Sequence, residues 1–455
     1  MITAGIIAEY NPFHRGHQYH IEETRRQTGA DFIVAVMSGD YVQRGEPAIV
    51  DKYLRTRMAL HGGADLVLEL PVIYASASAE YFASAGVQLL HNLHSVDYLS
   101  FGSEKAGIKD FEPLVKFLSE ELDFYKKQLR EELKRGKNFP LAREDALKAY
   151  VRKFCPETQI FWGILEEPNH ILGLEYLKAL HRLQSPIVPV TIRRQGAGYH
   201  DVDMDKKYPS ASAIRKMLAG GEKLPAWGKM SVSGEKISDG KKEPLEGENA
   251  ADTRAMLCRA MGGGAGEFLE RWRSNDTTSW ESLMPFLSYT VLMGERPEDI
   301  FGFDRDMAAR FLKLYRPGMS LPELIGVLHT KRLTDAAWRR ALLHLVLHIK
   351  KEDYLFRAAE IPVPYARVLG FSKRAAPLLK KIREKSSIPL LQRPAEGKTF
   401  AKDSAAERIF AADVRAAELY EQVSASRSGR SPISEWVRQQ IIIERGGTGI
   451  DNWIS

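Results

Sequence analysis

Short apolar runs alternate with longer amphipathic stretches through the first half of the chain. Five runs of six or seven residues have the length and apolar content of buried strands, and they lie at residues 2–8, 31–37, 66–71, 96–101 and 187–192. The stretches at 18–28, 51–61 and 78–93 have helical periodicity. Strands that alternate with helices predict an α/β fold, a Rossmann-like doubly wound parallel sheet with helices on both faces.

The loops that follow these strands are predicted to lie together. In a doubly wound sheet, ligands bind at the carboxyl ends of the strands, where the strand order reverses. The loops at 10–14, 38–40 and 102–104 are therefore expected to meet at one edge. In the helix predicted at 51–61, the side chains of Lys52, Arg55 and Arg57 are expected to point outward.

Beyond residue 250 the pattern becomes helical and strand-like runs are no longer apparent. The segments with helical periodicity are 251–262, 278–293, 304–314, 333–349, 373–384, 402–423 and 433–445. Gly, Lys, Glu and Ser dominate residues 220–250, which predicts a flexible polar linker or loop. We therefore predict an α/β domain at 1–219 followed by an all-helical domain at 251–455. The charges of the helical stretch at 108–135 are interpreted as a solvated face.

Composition narrows the class of protein. The chain has 455 residues, of which 44% are hydrophobic, and this suits two or three globular domains. It has no apolar run long enough to span a membrane and no basic segment before its first apolar run, so neither a membrane partner nor a signal peptide is expected. Cys155 and Cys258 are far apart without metal-ligand spacing, which favours a reducing cytoplasm and argues against a zinc site. A net charge of +6 permits a nucleic-acid partner.

The junction after the first strand carries the strongest chemical signal. Asn11-Pro12 ends the strand, and His14, Gly16 and His17 open the next helix. A helix N-terminus after a tight loop presents free N–H groups to an anion. The H-x-G-H spacing resembles the signature of the nucleotidyltransferase superfamily, whose members attack the α-phosphate of a nucleoside triphosphate. Cationic or hydrogen-bonding imidazoles at His14 and His17 would stabilise the departing pyrophosphate, although this motif alone also fits two surface histidines.

Further phosphate ligands are predicted later in the chain. Arg193 and Arg194 follow the strand at 187–192, where a guanidinium can bind phosphate or form a surface ion pair. Ser212 and Arg215 match a second superfamily motif of the Ser-Ser/Thr-x-x-Ile-Arg type, whereas Ser210 matches it loosely and suits a helix cap. Asn169 fits either a helix cap, which is favoured, or an amide that binds a base.

Basic pairs recur in the helical half with aromatic residues between them. Clustered cations suit a phosphate backbone and aromatic faces suit splayed bases, but a single pair is more simply a solvated helix face. The residues considered for tRNA binding are Lys331, Arg332, Arg339, Arg340, Lys373 and Arg374.

Several separated motifs together carry a more specific resemblance. They are the segments 9–17, 36–39, 43–47, 101–104, 168–173 and 199–201, and more weakly 330–332 and 365–371. In this order they resemble the bacterial tRNA(Met) cytidine acetate ligase family. The resemblance implies an enzyme that uses ATP, with Mg²⁺ accompanying the nucleotide, to activate acetate as acetyl-adenylate. The acetyl group would pass to N4 of the wobble cytidine of elongator tRNA(Met), forming N4-acetylcytidine.

The resemblance and the phosphate motifs together define a predicted ATP site. The acetate pocket and the base for acetyl transfer are not identified, and Asp40 is more simply a turn residue than that base. The glycine-rich loop at 195–198 departs from the serines expected there. The predicted ATP ligands are Ile7, Ala8, Glu9, Tyr10, Asn11, Pro12, Phe13, His14, Arg15, Gly16, His17, His20, Gly102, Asn169, Arg193, Arg194, Ser212 and Arg215.

Two other functions remain open from the sequence. The first is a nucleotidyltransferase acting on a small phosphorylated substrate, although such a substrate does not require a large basic helical domain. The second is a non-catalytic RNA-binding protein that retains a nucleotide pocket. No protein partner is implied.

Overall fold

The computed structural model describes residues 1–104, 107–119, 123–137, 139–154, 156–157, 162–165, 168–194, 209–219, 256–354 and 362–444. The predicted linker at 220–250 and the motif segments at 195–201 lie outside these ranges. The strands are β1 Thr3–Ala8, β2 Phe32–Ser38, β3 Tyr41–Val42, β4 Glu46–Pro47, β5 Leu66–Leu70, β6 Tyr98–Ser103, β7 Val188–Arg193, β8 Ala366–Ser372, β9 Leu390–Leu391 and β10 Ile441–Ile443.

Helices connect these strands and make up most of the second half of the chain. They are α1 Arg15–Thr28, α2 Lys52–His61, α3 Val72–Ala75, α4 Ala79–Asn92, α5 Ile108–Ser119, α6 Asp123–Lys134, α7 Phe139–Phe154, α8 Pro168–Arg182, α9 Ala211–Ala219, α10 Ala265–Arg273, α11 Trp280–Leu292, α12 Arg305–Leu314, α13 Leu321–Leu328, α14 Asp335–Leu347, α15 Ala376–Lys385 and α16 Ala405–Ser428. Residues 256–261 are also helical. The five predicted strands are confirmed to within about two residues.

One sheet organises the molecule, in the order β10-β8-β5-β2-β1-β6-β7. The pairs β5–β2, β2–β1, β1–β6 and β6–β7 are all parallel. The chain first builds outward from β1 through β2 to β5 and then returns to place β6 on the other side of β1. The strand order therefore reverses at β1, and the doubly wound sheet is confirmed with its switch point between β1 and β6.

Alternate strand residues face two different cores, as a sheet covered on both sides requires. Ile7, Val34 and Val36 belong to one buried cluster, whereas Ile6 and Ile33 belong to another. This alternation explains why the strands are nearly continuous apolar runs, since both faces are buried. Helices cover the two faces of the sheet but not the carboxyl ends of its strands. The loops can therefore bind a ligand at this edge.

The expectation that strands end before residue 250 is wrong. The described residues of 256–354 and 362–444 are mainly helical, but β8 pairs antiparallel with β5, and β9 and β10 pair with β8. The predicted helical period at 433–445 is replaced by a short 3₁₀ turn at Glu435–Val437 and the strand β10. The C-terminal half thus extends the N-terminal sheet.

A buried ionic cluster joins the two halves beside this sheet. The Nζ of Lys52 lies 2.7 Å from Oε1 of Glu69 and 2.6 Å from Oε1 of Glu435. Arg367 completes the cluster, 2.9 Å from Glu69 Oε2 and 2.6 Å from Glu435 Oε1. All four side chains are buried, so two cations balance two carboxylates. The outward orientation expected for Lys52 is therefore wrong, because its face of α2 meets the C-terminal half.

Candidate nucleotide site

Two histidines build the helix N-terminus that follows β1. His14 is the N-cap of α1, and its Nδ1 accepts a hydrogen bond from the Gly16 N–H at 3.0 Å. The Nδ1 of His17 accepts in turn from the His14 N–H at 3.2 Å. The rings stack with their centroids 3.8 Å apart. Since both Nδ1 atoms act as acceptors, each neutral ring carries its proton on Nε2.

Burial keeps both rings uncharged. It lowers the pKa of His14 to about 3, and the nearby guanidinium groups of Arg194 and Arg215 add to the effect. The pKa of His17 is also well below its ordinary value, first because the ring is buried and then because of His14 and Arg194. Of the two forms expected from the sequence, the structure favours neutral imidazoles that donate through Nε2 rather than imidazolium cations.

His20, one turn further along α1, is fixed by a chain of hydroxyl groups. The Thr24 hydroxyl donates to the His20 carbonyl at 2.7 Å, so the Ser100 hydroxyl, 2.7 Å from Thr24 Oγ1, donates to it. The Ser100 oxygen can then accept from His20 Nε2, which lies 2.9 Å away. Burial, followed by Arg194, lowers the pKa of His20 to about 4. This links α1 to β6 across the switch point.

The loop after β1, the carboxyl ends of β6 and β7 and the start of α9 enclose a cleft of about 230 Å³. It lies where the sequence predicts, at the carboxyl ends of the strands on either side of the switch point. The predicted ATP ligands that line it are Ile7, Ala8, Glu9, Tyr10, Asn11, His14, Gly16, His17, His20, Gly102, Asn169, Arg194, Ser212 and Arg215.

Four predicted ATP ligands are outside the lining of this cleft. Phe13 is buried in the core beside α2, and Pro12 is buried next to it. Arg15 and Arg193 are exposed. Neighbouring residues in a strand point to opposite faces, so Arg193 at the end of β7 faces away from the cleft that Arg194 lines. Assigning all four to ATP is not supported by the geometry.

Guanidinium groups form one wall of the cleft. Arg44 and Arg215 each donate through Nη2 to the Ser212 hydroxyl at 3.4 Å, and Arg215 also donates to the Asn11 carbonyl at 2.6 Å. Arg194 lies close enough to lower the pKa of all three cleft histidines. Arg44 and Arg215 share one small, neutral hydroxyl group, and guanidinium groups arranged in this way can bind an anion that has several oxygens.

Two carboxylates, those of Glu9 and Glu46, partly offset the positive charge of this wall. Oε1 of Glu9 accepts from the Gln43 N–H at 2.9 Å. Burial raises the pKa of the Glu9 carboxyl, while the Gln43 hydrogen bond and Arg215 oppose that shift. Glu46 Oε1 lies 4.0 Å from Nε of Arg215. The cleft therefore has a cationic wall with partly buried acidic groups beside it.

The opposite wall is formed by β6 and the start of α8. Asn169 is the second residue of α8 and lies inside the helix, so it is not the N-cap; its amide donates to Glu104 Oε1. The same oxygen lies 3.8 Å from Nη1 of Arg194. At Gly102 an added Cβ would lie 3.2 Å from Cγ of Arg194. The glycine thus allows Arg194 to lie flat against β6.

Ser210 and Asp40 have structural contacts. The Ser210 hydroxyl accepts from the Ala213 N–H at 3.0 Å and caps α9, as the sequence predicts. Asp40 is buried, and its Oδ1 accepts from the Lys52 N–H at 2.7 Å. Asp40 does not line the cleft, which supports the turn interpretation over a role as base.

Arg55 holds the loops of the cleft in place from inside. Its guanidinium donates to the carbonyls of Glu9 at 2.8 Å and Ser38 at 3.0 Å, and also to that of Gly39. Its Nε donates to the Val50 carbonyl at 3.1 Å. The outward orientation expected for Arg55 is wrong, because loop carbonyls at the ends of β1 and β2 satisfy this buried cation.

Arg44 reaches the cleft from a hairpin that the C-terminal half supports. The hairpin consists of β3, β4 and the residues between them. Trp280 Nε1 donates to the Gly45 carbonyl at 2.7 Å, and Arg340 Nη1 donates to the Gln43 carbonyl at 3.4 Å. Arg339 lies 3.6 Å from Glu46. Arg44 is a site residue that the sequence does not predict, since these contacts come from residues far along the chain.

The residues considered for tRNA binding do not lie on one surface. Lys331 and Arg332 are exposed before α14, whereas Arg340 is partly buried and bonded to the hairpin, and its burial lowers its pKa to about 10. Lys373 and Arg374 follow β8, whose end pairs with the first residue of β5. They therefore lie at the amino edge of the central strands, opposite the cleft.

The described part of the chain contains neither a membrane-spanning helix nor a cluster of metal ligands. Within that part, no helix is long and apolar enough to cross a bilayer. Over the same residues, no group of three or more His, Cys, Asp or Glu side chains could hold a metal ion.

Comparisons with known proteins cover almost the whole chain. The family model of HIGH nucleotidyl transferases matches residues 1–432. The tRNA(Met) cytidine acetate ligase of Caldanaerobacter subterraneus subsp. tengcongensis is 37% identical over 420 residues, 92% of this chain and 95% of that protein. The protein of the same name from Acetivibrio thermocellus is 35% identical over 448 residues, 97% of this chain and 100% of that protein.

Two solved structures also match this chain over almost its whole length. The crystal structure of Thermotoga maritima TmcAL bound with alpha-thio ATP has a TM-score of 0.80 and 27% identity to this chain. The apo form has a TM-score of 0.82 and 28% identity. Each comparison covers 98% of this chain and 100% of the other.

Proposed function

Because the chain belongs to the tRNA(Met) cytidine acetate ligase family of HIGH nucleotidyl transferases, we propose that it uses ATP to acetylate a cytidine of tRNA. The target is N4 of the wobble cytidine of elongator tRNA(Met). One observation carries the proposal. Two neutral imidazoles, whose Nδ1 atoms accept backbone N–H groups, line the same cleft as Arg44, Arg194 and Arg215. That combination suits a nucleotide whose α-phosphate is attacked and whose pyrophosphate leaves.

In the first step an acetate oxygen attacks the α-phosphorus of ATP. The new P–O bond forms as the bond between the α-phosphorus and the bridging oxygen breaks, which yields acetyl-adenylate and pyrophosphate. The Nε2–H groups of His14 and His17 donate to oxygens on which negative charge grows. Arg44, Arg194 and Arg215 bind phosphate oxygens, and Mg²⁺ enters as part of the substrate complex with the triphosphate.

In the second step the exocyclic N4 of cytidine attacks the acetyl carbonyl. The C–N bond forms, the C–O bond to the phosphate breaks, AMP leaves and N4 loses one proton. Water would destroy the mixed anhydride, so the cleft must exclude it. Apolar lining by Phe82, Phe101 and Tyr176 suits that requirement.

Product analysis tests this function directly. The chain is incubated with ATP, isotopically labelled acetate and an elongator tRNA(Met) transcript, and the nucleosides are then separated by mass. We expect labelled N4-acetylcytidine, with one AMP and one pyrophosphate per acetyl group, and no label on a transcript with uridine at the wobble position. Adenylylation of a small phosphorylated acceptor, or tRNA binding without ATP consumption, would refute the proposal.

A matched pair of variants tests the cleft. Arg193 and Arg194 are adjacent, but only Arg194 lines the cleft. Loss of a charged hydrogen bond costs about 1.5–3 kcal/mol, so Arg194→Ala is expected to raise the KM for ATP about tenfold or more. Arg193→Ala is the control and should leave it unchanged. Equal effects of the two substitutions would show that the nucleotide lies elsewhere.

A further inference from the structure

The helical hairpin formed by α6 and α7 carries most of the net positive charge of the chain. Residues 123–154 contain ten Lys or Arg and five Asp or Glu side chains. Their excess of five positive charges compares with +6 for the whole chain. An excess of this size within so short a segment attracts polyanions.

Several cations of this hairpin are presented to solvent. On α6, Lys127, Arg130 and Lys134 are exposed and follow the spacing of one helix face. On α7, Arg152 and Lys153 are exposed near the C-terminal end. The hairpin's ion pairs use other cations, namely Arg135, Lys137, Arg143 and Lys148.

Aromatic rings lie among these cations at one end of the hairpin. Phe124 and Phe154 meet edge to face, 5.1 Å between centroids. Lys153 Nζ lies 4.5 Å from the Phe124 centroid and 5.1 Å from that of Phe154, and Phe154 is 50% exposed. We call Phe124, Lys153 and Phe154 the tip. An exposed ring beside a cation can stack on an unpaired base while the cation binds its phosphate.

The hairpin packs beside α8, a helix that borders the cleft. Arg143, early in α7, lies 2.9 Å from Glu175 at the middle of α8. Lys148, later in α7, lies 5.7 Å from the ring of Trp162, which precedes α8. Asn169, the second residue of α8, lines the cleft, so the hairpin lies next to the helix whose start borders the nucleotide site.

We propose that the α6–α7 hairpin is the surface that binds the anticodon stem-loop of the tRNA substrate. Lys127, Arg130 and Lys134 contact its phosphate backbone, and Phe154 at the tip stacks on a base next to the cytidine that enters the cleft. The proposal rests on the proposed function, which requires a wobble base to leave its stack and reach the adenylate. Of the basic pairs considered earlier, Lys373 and Arg374 lie at the wrong edge of the sheet for this contact.

A double charge reversal tests the surface in the full-length protein. Lys127→Glu/Arg130→Glu is compared with Lys380→Glu/Arg383→Glu, an exposed pair with the same spacing on α15. Binding of an elongator tRNA(Met) transcript is followed by fluorescence anisotropy at several salt concentrations. We expect the α6 variant to bind about tenfold more weakly or worse, with a salt slope lower by about one for each phosphate that it no longer binds. The α15 variant should bind like the unmodified protein.

A second pair tests the tip without changing any charge. Phe154→Ala is expected to weaken tRNA binding about fivefold or more, as the loss of one stacked base does. Phe139→Ala removes a ring of similar exposure, 54%, from the other end of α7 and should have no effect. Equal losses in both members of either pair, or unchanged binding by the α6 and Phe154 variants, would overturn the proposal.

Pyrophosphate exchange without tRNA separates this proposal from the proposed function. All four variants should exchange labelled pyrophosphate into ATP with acetate at the unmodified rate, since the substitutions lie outside the nucleotide cleft. If the unmodified protein exchanges normally while the α6 variant binds tRNA normally, only the assigned surface is wrong. If the unmodified protein shows no exchange with acetate, even after tRNA is added, the proposed function fails, and this proposal fails with it.

Discussion

His14 has two separable tasks, and a pair of substitutions can measure each of them. Its Nδ1 accepts the Gly16 N–H as the cap of α1, and in the proposed function its Nε2–H donates to the nucleotide. An asparagine places a carbonyl oxygen near the Nδ1 position but nothing at Nε2. His14→Asn should therefore keep the cap and lose the catalytic donor, whereas His14→Ala loses both.

The expected magnitudes follow from these contacts. Loss of an N-cap acceptor costs about 1 kcal/mol, so His14→Ala should be less stable to urea than His14→Asn by roughly that amount. Loss of a donor to a developing oxyanion costs about 10²–10³ in rate. Acetate-dependent pyrophosphate exchange should therefore fall by that factor, and equally, in both variants. Exchange by His14→Asn above about a tenth of the unmodified rate would refute the role of Nε2, as a donor is worth at least that much.

The charge state of His14 adds a pH test to the same experiment. Burial lowers its pKa from 6.5 to about 3, so the ring is neutral throughout the physiological range. The exchange rate should then show no loss from imidazole deprotonation as the pH rises through 6.5, the ordinary pKa of the group. A fall in rate that follows such a titration, and that disappears in His14→Asn, would show that an imidazolium is the active form.

Other perturbations give expected outcomes of known sign. Burial raises the pKa of Asp413 from 3.8 to about 7, so the native state keeps a proton that the unfolded state loses and stability falls as the pH rises through that window. The Asp413→Asn variant does not lose stability in this way. Its free energy of unfolding, measured with urea, should therefore increase relative to that of the unmodified protein by up to about 1.4 kcal/mol for each pH unit between these two pKa values. A difference that does not change with pH would contradict the raised pKa of Asp413. Arg367→Met leaves two buried carboxylates with one cation and should cost about 3–5 kcal/mol, whereas Arg393→Met, at a 77% exposed side chain, should cost almost nothing in the same denaturation. Arg44→Ala should raise the KM for ATP in pyrophosphate exchange about tenfold, and Arg15→Ala, the exposed control, should not; equal values would remove Arg44 from the site.

The sequence predicts the parts of the fold that depend on local pattern. The strands β1, β2, β5 and β6 are largely buried on both faces, so their residues are mostly apolar and stand out, whereas β7 at the edge of the sheet is only partly buried. The histidine pair is recognisable for a similar reason, because a cap, a glycine and a second ring must lie within one turn of helix.

Features that depend on distant contacts could not be predicted. β8 contains Arg367 and Gly370 within its apolar run, and it becomes a strand by pairing with β5, about 300 residues earlier. Helical periodicity shows which residues share a face with Arg55, but not that loop carbonyls surround it. Arg44 enters the cleft because Trp280 and other C-terminal residues hold its hairpin.

Exchange of labelled pyrophosphate into ATP, measured without tRNA and with or without acetate, is the decisive experiment on acetate activation by this protein. Exchange reports reversible formation of an adenylate and needs no acceptor. The account predicts exchange that requires acetate and is lost in His14→Asn. Exchange that does not depend on acetate, or no exchange even after tRNA is added, would contradict it.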